Sequence, residues 1–290
     1  MVLAHHPILM KRIGLFLTIF VSTACGMITN PTSPTDPATT NTIVYSAIGA
    51  SDANGVGSSV PCLPYATCPD GTGYVPVMAR KYTAAGKVVT LQNLGLPGAV
   101  VSKTIQDIGN SMNRGIAINF INDEMPFVKT DATIVTVFAG GNDSNTLAAG
   151  VKNGLGGSDW LNTQIAGFGK DMTMLINGIK ARAPKARILI LNLPNLAALP
   201  YSSGLTLSEK RTLQTVATGL NAQINATVSL GTTVVDMMCD SRLYNPSIFS
   251  SDGFHPNDAG YALFADLLYS AASTTSATAP KSSCSFMSVY

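Results

Sequence analysis

Charge is scarce in this chain. Of 290 residues, 18 are Lys or Arg and 16 are Asp or Glu, a charged fraction of 12%, about half the usual share. The formal net charge is +2 and no long basic or acidic run occurs, so the electrostatic footprint of a nucleic-acid surface is missing and no nucleic acid is expected as a partner. There is no G-x-x-x-x-G-K-[ST] loop and no G-x-G-x-x-G after a strand, which removes the usual phosphate cradles. Histidine is limited to His5, His6 and His255. No cysteine pair has the short spacing of a structural zinc site, and none has a histidine nearby. No metal and no other cofactor is therefore expected. What the chain has in quantity is aliphatic residue: 46% is hydrophobic, ample for a large core.

The N-terminus reads as a targeting segment. Lys11 and Arg12 precede an apolar run from Ile13 to Val21, of signal-peptide length and too short to span a bilayer. Ser22, Thr23 and Ala24 then lead to Cys25 and Gly26. This resembles a bacterial lipoprotein signal, in which the cysteine is lipidated and becomes the mature first residue. Ser22 departs from the pattern, because such signals usually carry leucine there. The alternative is ordinary cleavage near Ala24, releasing a soluble protein. Either route exports the chain, to the cell envelope through a lipid anchor or to the medium, and membrane association is expected only through that anchor. Residues 1–25 are taken as the signal and 26–40 as a linker, whose Asn30–Thr40 stretch is NPTSPTDPATT. Such a segment is extended and packs no core. Cys62, Cys68, Cys239 and Cys284 remain, an even set suited to an oxidising compartment. The expected pairs are Cys62 with Cys68, closing a small loop around Pro64, and Cys239 with Cys284, tying a tail of residues 276–290 to the body.

Residues 41–275 read as one domain. Apolar β-branched runs (Thr42–Ala47, Lys87–Gln92, Thr133–Phe138, Arg187–Leu191, Thr233–Asp236) alternate with helical patterns (Ser102–Ser111, Asn119–Met125, Leu161–Ala183, Ser208–Ser229, Asn257–Ser273). Leu161, Ile165, Phe168, Met172, Leu175, Ile176 and Ile179 recur at helical spacing and belong to a core face. Thr206-Leu-Ser-Glu209 has the form of a capping box. Wholly apolar strands separated by helices predict a parallel sheet covered on both faces. In open sheets of that kind, sites lie beyond the carboxyl ends of the strands.

The residues that could carry chemistry lie at those ends. After the first strand comes Ile48-Gly49-Ala50-Ser51-Asp52, where small residues permit a sharp turn that exposes a serine hydroxyl. Taken alone it reads first as a strand-ending turn with a solvated serine. If the serine uses a histidine base, that base is His255, the one histidine outside the signal segment. Asp252 precedes it by three positions in Ser251-Asp252-Gly253-Phe254-His255-Pro256, a spacing that lets a carboxylate reach Nδ1 and leave Nε2 for the serine proton. The competing role for this stretch is a helix start, with Asp252 or His255 as cap. Gly140-Gly141-Asn142-Asp143 follows the third strand. Its Asn amide could donate to an oxyanion, or the stretch could be a plain turn. Asn93-Leu-Gly95-Leu-Pro-Gly98 follows the second strand and could offer a glycine N–H. Tyr65, Tyr74, Tyr201, Tyr244 and Phe254 are candidates to line a pocket.

Together these blocks resemble the SGNH hydrolase superfamily, the GDSL-type esterases and lipases, over Ile43 to about Leu268. Gly49-Ala50-Ser51-Asp52 stands for the serine block, Gly98 (with Gly95 as competitor) for the glycine block, Gly140-Gly141-Asn142-Asp143 for GxND, and Asp252-Gly-Phe-His255 for DxxH. Ala50 departs from the usual acidic residue before the serine. The resemblance implies a three-layer α/β/α, flavodoxin-like fold with a five-stranded parallel sheet. It also implies Ser51 as nucleophile, His255 as base and Asp252 as its orienter, with Ser51, Gly98 and Asn142 as the oxyanion hole. The activity implied is hydrolysis of short-chain acyl or acetyl esters of lipids, small alcohols or carbohydrates, with acyl transfer by the same residues as a variant. The reading from another class is a non-catalytic carbohydrate- or lipid-binding lipoprotein. The α/β-hydrolase fold is disfavoured, because its G-x-S-x-G motif after a later strand is missing.

Overall fold

A computed structural model describes residue 36 and residues 39–274 and 279–290; the signal segment with Cys25 and most of the linker lie outside the described residues. Five strands, β1 (Thr42–Gly49), β2 (Val88–Asn93), β3 (Ile134–Phe138), β4 (Arg187–Leu191) and β5 (Thr233–Val235), form one sheet in the order β2-β1-β3-β4-β5. Every pairing is parallel. This is the expected flavodoxin-like order.

Side-chain alternation along the strands sorts the core into two layers. Val135 and Val137 of β3 and Ile188 and Ile190 of β4 face one side, with Ile48. Helices α2 (Lys103–Ser111), α4 (Gly141–Lys152), α5 (Ser158–Arg182) and α6 (Leu207–Ala226) cover that side through Ile105, Leu147, Phe168, Met172, Ile176, Val216 and Leu220. Ile43, Tyr45, Ala47, Leu189 and Leu191 face the other side. There α1 (Tyr74–Ala84) and α7 (Asp258–Ala272) pack through Val75, Met78, Tyr82, Tyr261, Phe264 and Leu268. Truncating any one of the large buried side chains would cost about 2–5 kcal/mol, so both layers are needed.

The sequence patterns place most elements within a residue or two, and the departures have local causes. The helix expected over Asn119–Met125 is only α3 (Phe120–Asp123), followed by a tighter turn, Met125–Phe127, that holds Pro126; proline cannot continue a helix. Two helices have no counterpart in the sequence reading. Helix α1 carries Pro76 in its first turn, where proline is tolerated. Helix α4 opens on Gly141-Asn142-Asp143-Ser144, all weak helix formers. The capping box is present in full: the Thr206 side chain accepts from the Glu209 N–H, and the Glu209 carboxylate accepts from the Thr206 N–H at 2.8 Å.

Strand order reverses between β1 and β3, where crossovers leave in opposite directions and open a crevice at the strands' carboxyl ends. Ser51 follows β1 and Asn142 follows β3, so the fold delivers both to that crevice. The C-terminal tail braces the neighbouring loops. Cys239–Cys284 closes a separation of 45 residues. The Phe286 ring stacks on Tyr244 at 3.9 Å, and Asn195 Nδ2 donates to Phe286 O at 2.8 Å. Cys62–Cys68 closes a separation of 6 residues in the irregular loop after Ser51.

Chain entropy predicts unequal contributions from the two bridges. Replacing Cys239 and Cys284 by Ser should lower stability by about 4 kcal/mol, and replacing Cys62 and Cys68 by about 2 kcal/mol. Chemical denaturation of the two double variants measures the difference; equal losses would contradict it.

Candidate active site

The turn after β1 is held from several sides. Asn93 Nδ2 donates to Ala53 O at 2.7 Å, and the Cys62 N–H donates to Asn54 O at 2.6 Å. Tyr261 Oη donates to Val56 O at 2.7 Å. Asp258, in the first turn of α7, accepts from the Ser59 N–H at 2.7 Å and from Ser59 Oγ at 2.6 Å. Gly57 passes so close to the histidine loop that a Cβ there would stand 2.7 Å from Pro256 O and 2.9 Å from His255 Cβ. These ties fix the serine turn against the one loop that carries the histidine.

That loop is built around Asp252. Its Oδ1 accepts from Ser250 Oγ at 2.8 Å and from the Phe254 and His255 N–H groups at 2.8 and 2.9 Å. Its Oδ2 lies 2.5 Å from His255 Nδ1. A carboxylate can only accept, so Nδ1 carries the proton and Nε2 is left as an acceptor. Ser51 Oγ lies 2.8 Å from that Nε2. Asn257 caps α7, accepting from the Ala259 and Gly260 N–H groups at 3.0 and 3.2 Å. Neither Asp252 nor His255 is used as the helix cap. Gly253 has φ +68, and a Cβ there would meet Tyr201 N at 2.7 Å, so this tight turn has room for glycine alone.

The ring of His255 keeps 17% of its side-chain surface exposed and Asp252 keeps 48%, while Ser51 is 8% exposed. Partial burial alone would raise the Asp252 carboxyl. The hydrogen bonds from His255, the Phe254 and His255 N–H groups and Ser250 outweigh it and bring the group to about 2.

The surroundings of the three proposed oxyanion donors, Ser51, Gly98 and Asn142, differ. Gly140, with φ +106, lies two residues past β3 and caps the start of α4; a Cβ there would press on Leu193 at 3.0 Å. One hydrogen of the Asn142 amide is donated to Ala99 O at 2.9 Å; the amide has a second. The Gly95 N–H is taken up by Asn93 Oδ1 at 3.1 Å. Among the described residues the N–H groups of Gly98 and Ser51 have no protein acceptor, which separates Gly98 from its competitor. Gly98 and Asn142 line one shallow depression, while Asn142, Ala50 and Asp52 line a deeper slot. Phe254 lines that slot too, and its ring meets Tyr201 edge-on at 4.9 Å. The other aromatic candidates serve elsewhere: Tyr74 is core, Tyr244 holds the tail and Tyr65 is exposed.

Two buried carboxyls to which the sequence assigns no role support this arrangement. Glu124 is 0% exposed and its Oε2 accepts the Gly49 N–H at 2.9 Å, directly behind the serine turn. Burial pushes this carboxyl well up, against the pull of the Gly49 and Leu96 N–H groups. Asp143 Oδ1 accepts the Val101 N–H at 2.9 Å and so ties the Asn142 turn to the Gly98 loop. Burial, partly offset by that N–H, raises Asp143 to about 7. Nothing in its sequence neighbourhood marks Glu124. Asp143 is legible only as the last residue of the GxND block, with no role assigned to it.

Opposite pH effects on stability follow. Asp252, depressed in the fold, stabilises above its unfolded value near 4 and that contribution is lost as pH falls toward about 2. Asp143, raised in the fold, binds its proton more tightly folded than unfolded, so stability falls as pH rises from near 4 through about 7. Urea unfolding from pH 2 to 8 should show Asp252→Asn flattening the acid limb and Asp143→Asn flattening the neutral one. Wild-type-like profiles in both variants would refute these assignments.

Residues 47–263 match the GDSL-like Lipase/Acylhydrolase family. No curated protein sequence matches the chain. Solved structures with the same fold include an extracellular lipase from Streptomyces rimosus, 18% identical, over 79% of this chain and 99% of that one with a TM-score of 0.52. A lipase from a goat rumen metagenome is 16% identical over 79% of this chain and 97% of its own, with a TM-score of 0.57. An acetylxylan esterase from Geobacillus stearothermophilus is 14% identical over 83% of this chain and 97% of its own, with a TM-score of 0.52. The match spans the serine, glycine, asparagine and histidine blocks alike, and the chain belongs to the GDSL-like lipase/acylhydrolase family, the SGNH hydrolases.

Proposed function

We propose that this protein is an exported serine carboxylester hydrolase that works through an acyl-enzyme on short acyl chains. The observation that carries the proposal is the continuous relay from Ser51 Oγ through His255 to Asp252, with spacings of 2.8 and 2.5 Å. A non-catalytic binding protein has no use for a serine hydroxyl aligned on the free nitrogen of an oriented imidazole.

In this scheme Ser51 Oγ attacks the ester carbonyl carbon as its proton passes to His255 Nε2. Asp252 keeps the ring in the productive tautomer and offsets the charge it gains. The carbonyl oxygen becomes an oxyanion that receives the Ser51 N–H, the Gly98 N–H and the second hydrogen of the Asn142 amide. His255 returns the proton to the departing alkoxide, leaving the acyl group on Ser51. Water then repeats the attack with His255 as base, and the carboxylic acid is released.

The deeper slot supports the preference for short chains. It is walled by Ala99, Leu193, Leu196 and Phe254 and has room for only a few water molecules. Acetyl esters of sugars belong among the substrates to screen, since an acetylxylan esterase shares the fold. The two disulfides fit an exported protein.

Fluorophosphonate treatment of the purified domain is expected to give an adduct on Ser51 that His255→Ala loses. Turnover of p-nitrophenyl acetate and butyrate should exceed that of the decanoate. Asn142→Ala should lower kcat roughly 100-fold or more. A folded, disulfide-intact protein with no adduct and no turnover would reject the hydrolase proposal in favour of the binding-lipoprotein alternative.

A further inference from the structure

The slot beside Ser51 has one charged side chain, Asp52, and one polar one, Asn142, in a wall of otherwise apolar side chains and glycine. Every other carboxylate packed around the site has a donor from elsewhere in the protein. Asp252 has Ser250 and His255, Glu124 has the Gly49 N–H, Asp143 has the Val101 N–H and Asp258 has Ser59. Among the described residues Asp52 receives only its own backbone N–H. That carboxyl is partly exposed and borders the space a substrate would fill, next in sequence to the nucleophile, so a ligand that displaces its water must supply a donor or leave it unpaired at a cost.

We infer that Asp52 and this slot form a subsite for acyl groups that carry a hydroxyl close to the carbonyl, making esters of short hydroxy acids the preferred substrates. The inference rests on the reading of Ser51 as an ester-hydrolysing nucleophile. The slot suits the acyl side because its floor is core: Leu193, Leu196, Leu199, Leu243 and Phe264 line it and are all buried. The leaving alcohol must escape to solvent before water attacks, whereas the acyl group stays on Ser51 through both halves of the reaction. A hydroxyl is the donor the chemistry favours. Burial pushes the Asp52 carboxyl up, with the charge of His255 opposing. A hydroxyl can donate to the carboxylate or accept from the neutral acid, while an ammonium group needs the ionised form that burial disfavours. An unsubstituted alkyl chain would fill the same space and leave the carboxyl unpaired.

The test compares methyl butyrate with each enantiomer of methyl 3-hydroxybutyrate by pH-stat titration, using the wild type, Asp52→Leu and Asp52→Asn. The wild type is expected to favour one hydroxy ester by roughly tenfold or more in kcat/KM. That ratio should collapse in Asp52→Leu and survive largely in Asp52→Asn, which keeps a carbonyl acceptor. A wild type that treats the esters alike overturns the inference. So does an Asp52→Leu variant that slows both esters in proportion, because Asp52 then acts on His255 or on the fold. Fluorophosphonate labelling of Ser51 in the same samples separates the failures. A labelled enzyme without the preference rejects the hydroxyacyl subsite alone, and an unlabelled, inactive enzyme rejects the hydrolase reading with it.

Discussion

The hydrogen bond between Ser51 Oγ and His255 Nε2 joins positions 204 residues apart, and the rest of the molecule is arranged so that it can form. Its two partners ride on loops that follow different elements, β1 and the turn before α7. A slip of a single residue in the β1 register would turn that strand's side chains to the wrong face. The parallel sheet prevents the slip, because β1 is paired on both edges and alternates its side chains between two separate cores. The loop-to-loop ties then complete the alignment, chiefly Asp258 on Ser59 and Tyr261 on Val56. Both ties come from α7, the helix that directly follows the histidine, so one rigid element positions the base and clamps the nucleophile turn.

Carboxyl groups fall into two kinds here, and burial against hydrogen bonding decides which. Asp252 is half-exposed and richly hydrogen-bonded, so donors outweigh desolvation and the group stays ionised. Glu124 and Asp143 are buried with few donors, so desolvation wins and both are raised. Those two hold backbone N–H groups behind the Ser51 turn and between the Asn142 turn and the Gly98 loop. In a protein with so few charges, their confinement to the crevice and its support is a functional use of groups that are expensive to bury.

The strands and long helices were legible because their patterns are one-sided. β4 agrees end to end with its apolar run, and α5 buries the same seven side chains whose spacing marked it. Helix α1 shows why other parts were not. Val75, Met78, Ala79 and Tyr82 have helical spacing, but Pro76 and the irregular Cys62–Gly73 loop before them obscure it. Helix α4 hides behind glycine and asparagine because its first turn is shaped for the site rather than for helix propensity. The histidine and its aspartate could be singled out by scarcity and spacing. Glu124 could not, since its role exists only after folding brings it beneath Gly49. That the Gly95 N–H is already used likewise shows only with the Asn93 side chain in place.

If Ser51, His255 and Asp252 work as one relay, their losses cannot be independent. The most direct measurement is a double-mutant cycle on kcat with His255→Ala, Asp252→Ala and the double variant, each checked for folding, using p-nitrophenyl butyrate. Removing Asp252 from a protein that has already lost His255 should then cost almost nothing, so that the double variant is about as slow as His255→Ala alone. Losses that multiply would mean that the two residues act separately, and would contradict the relay on which this account rests.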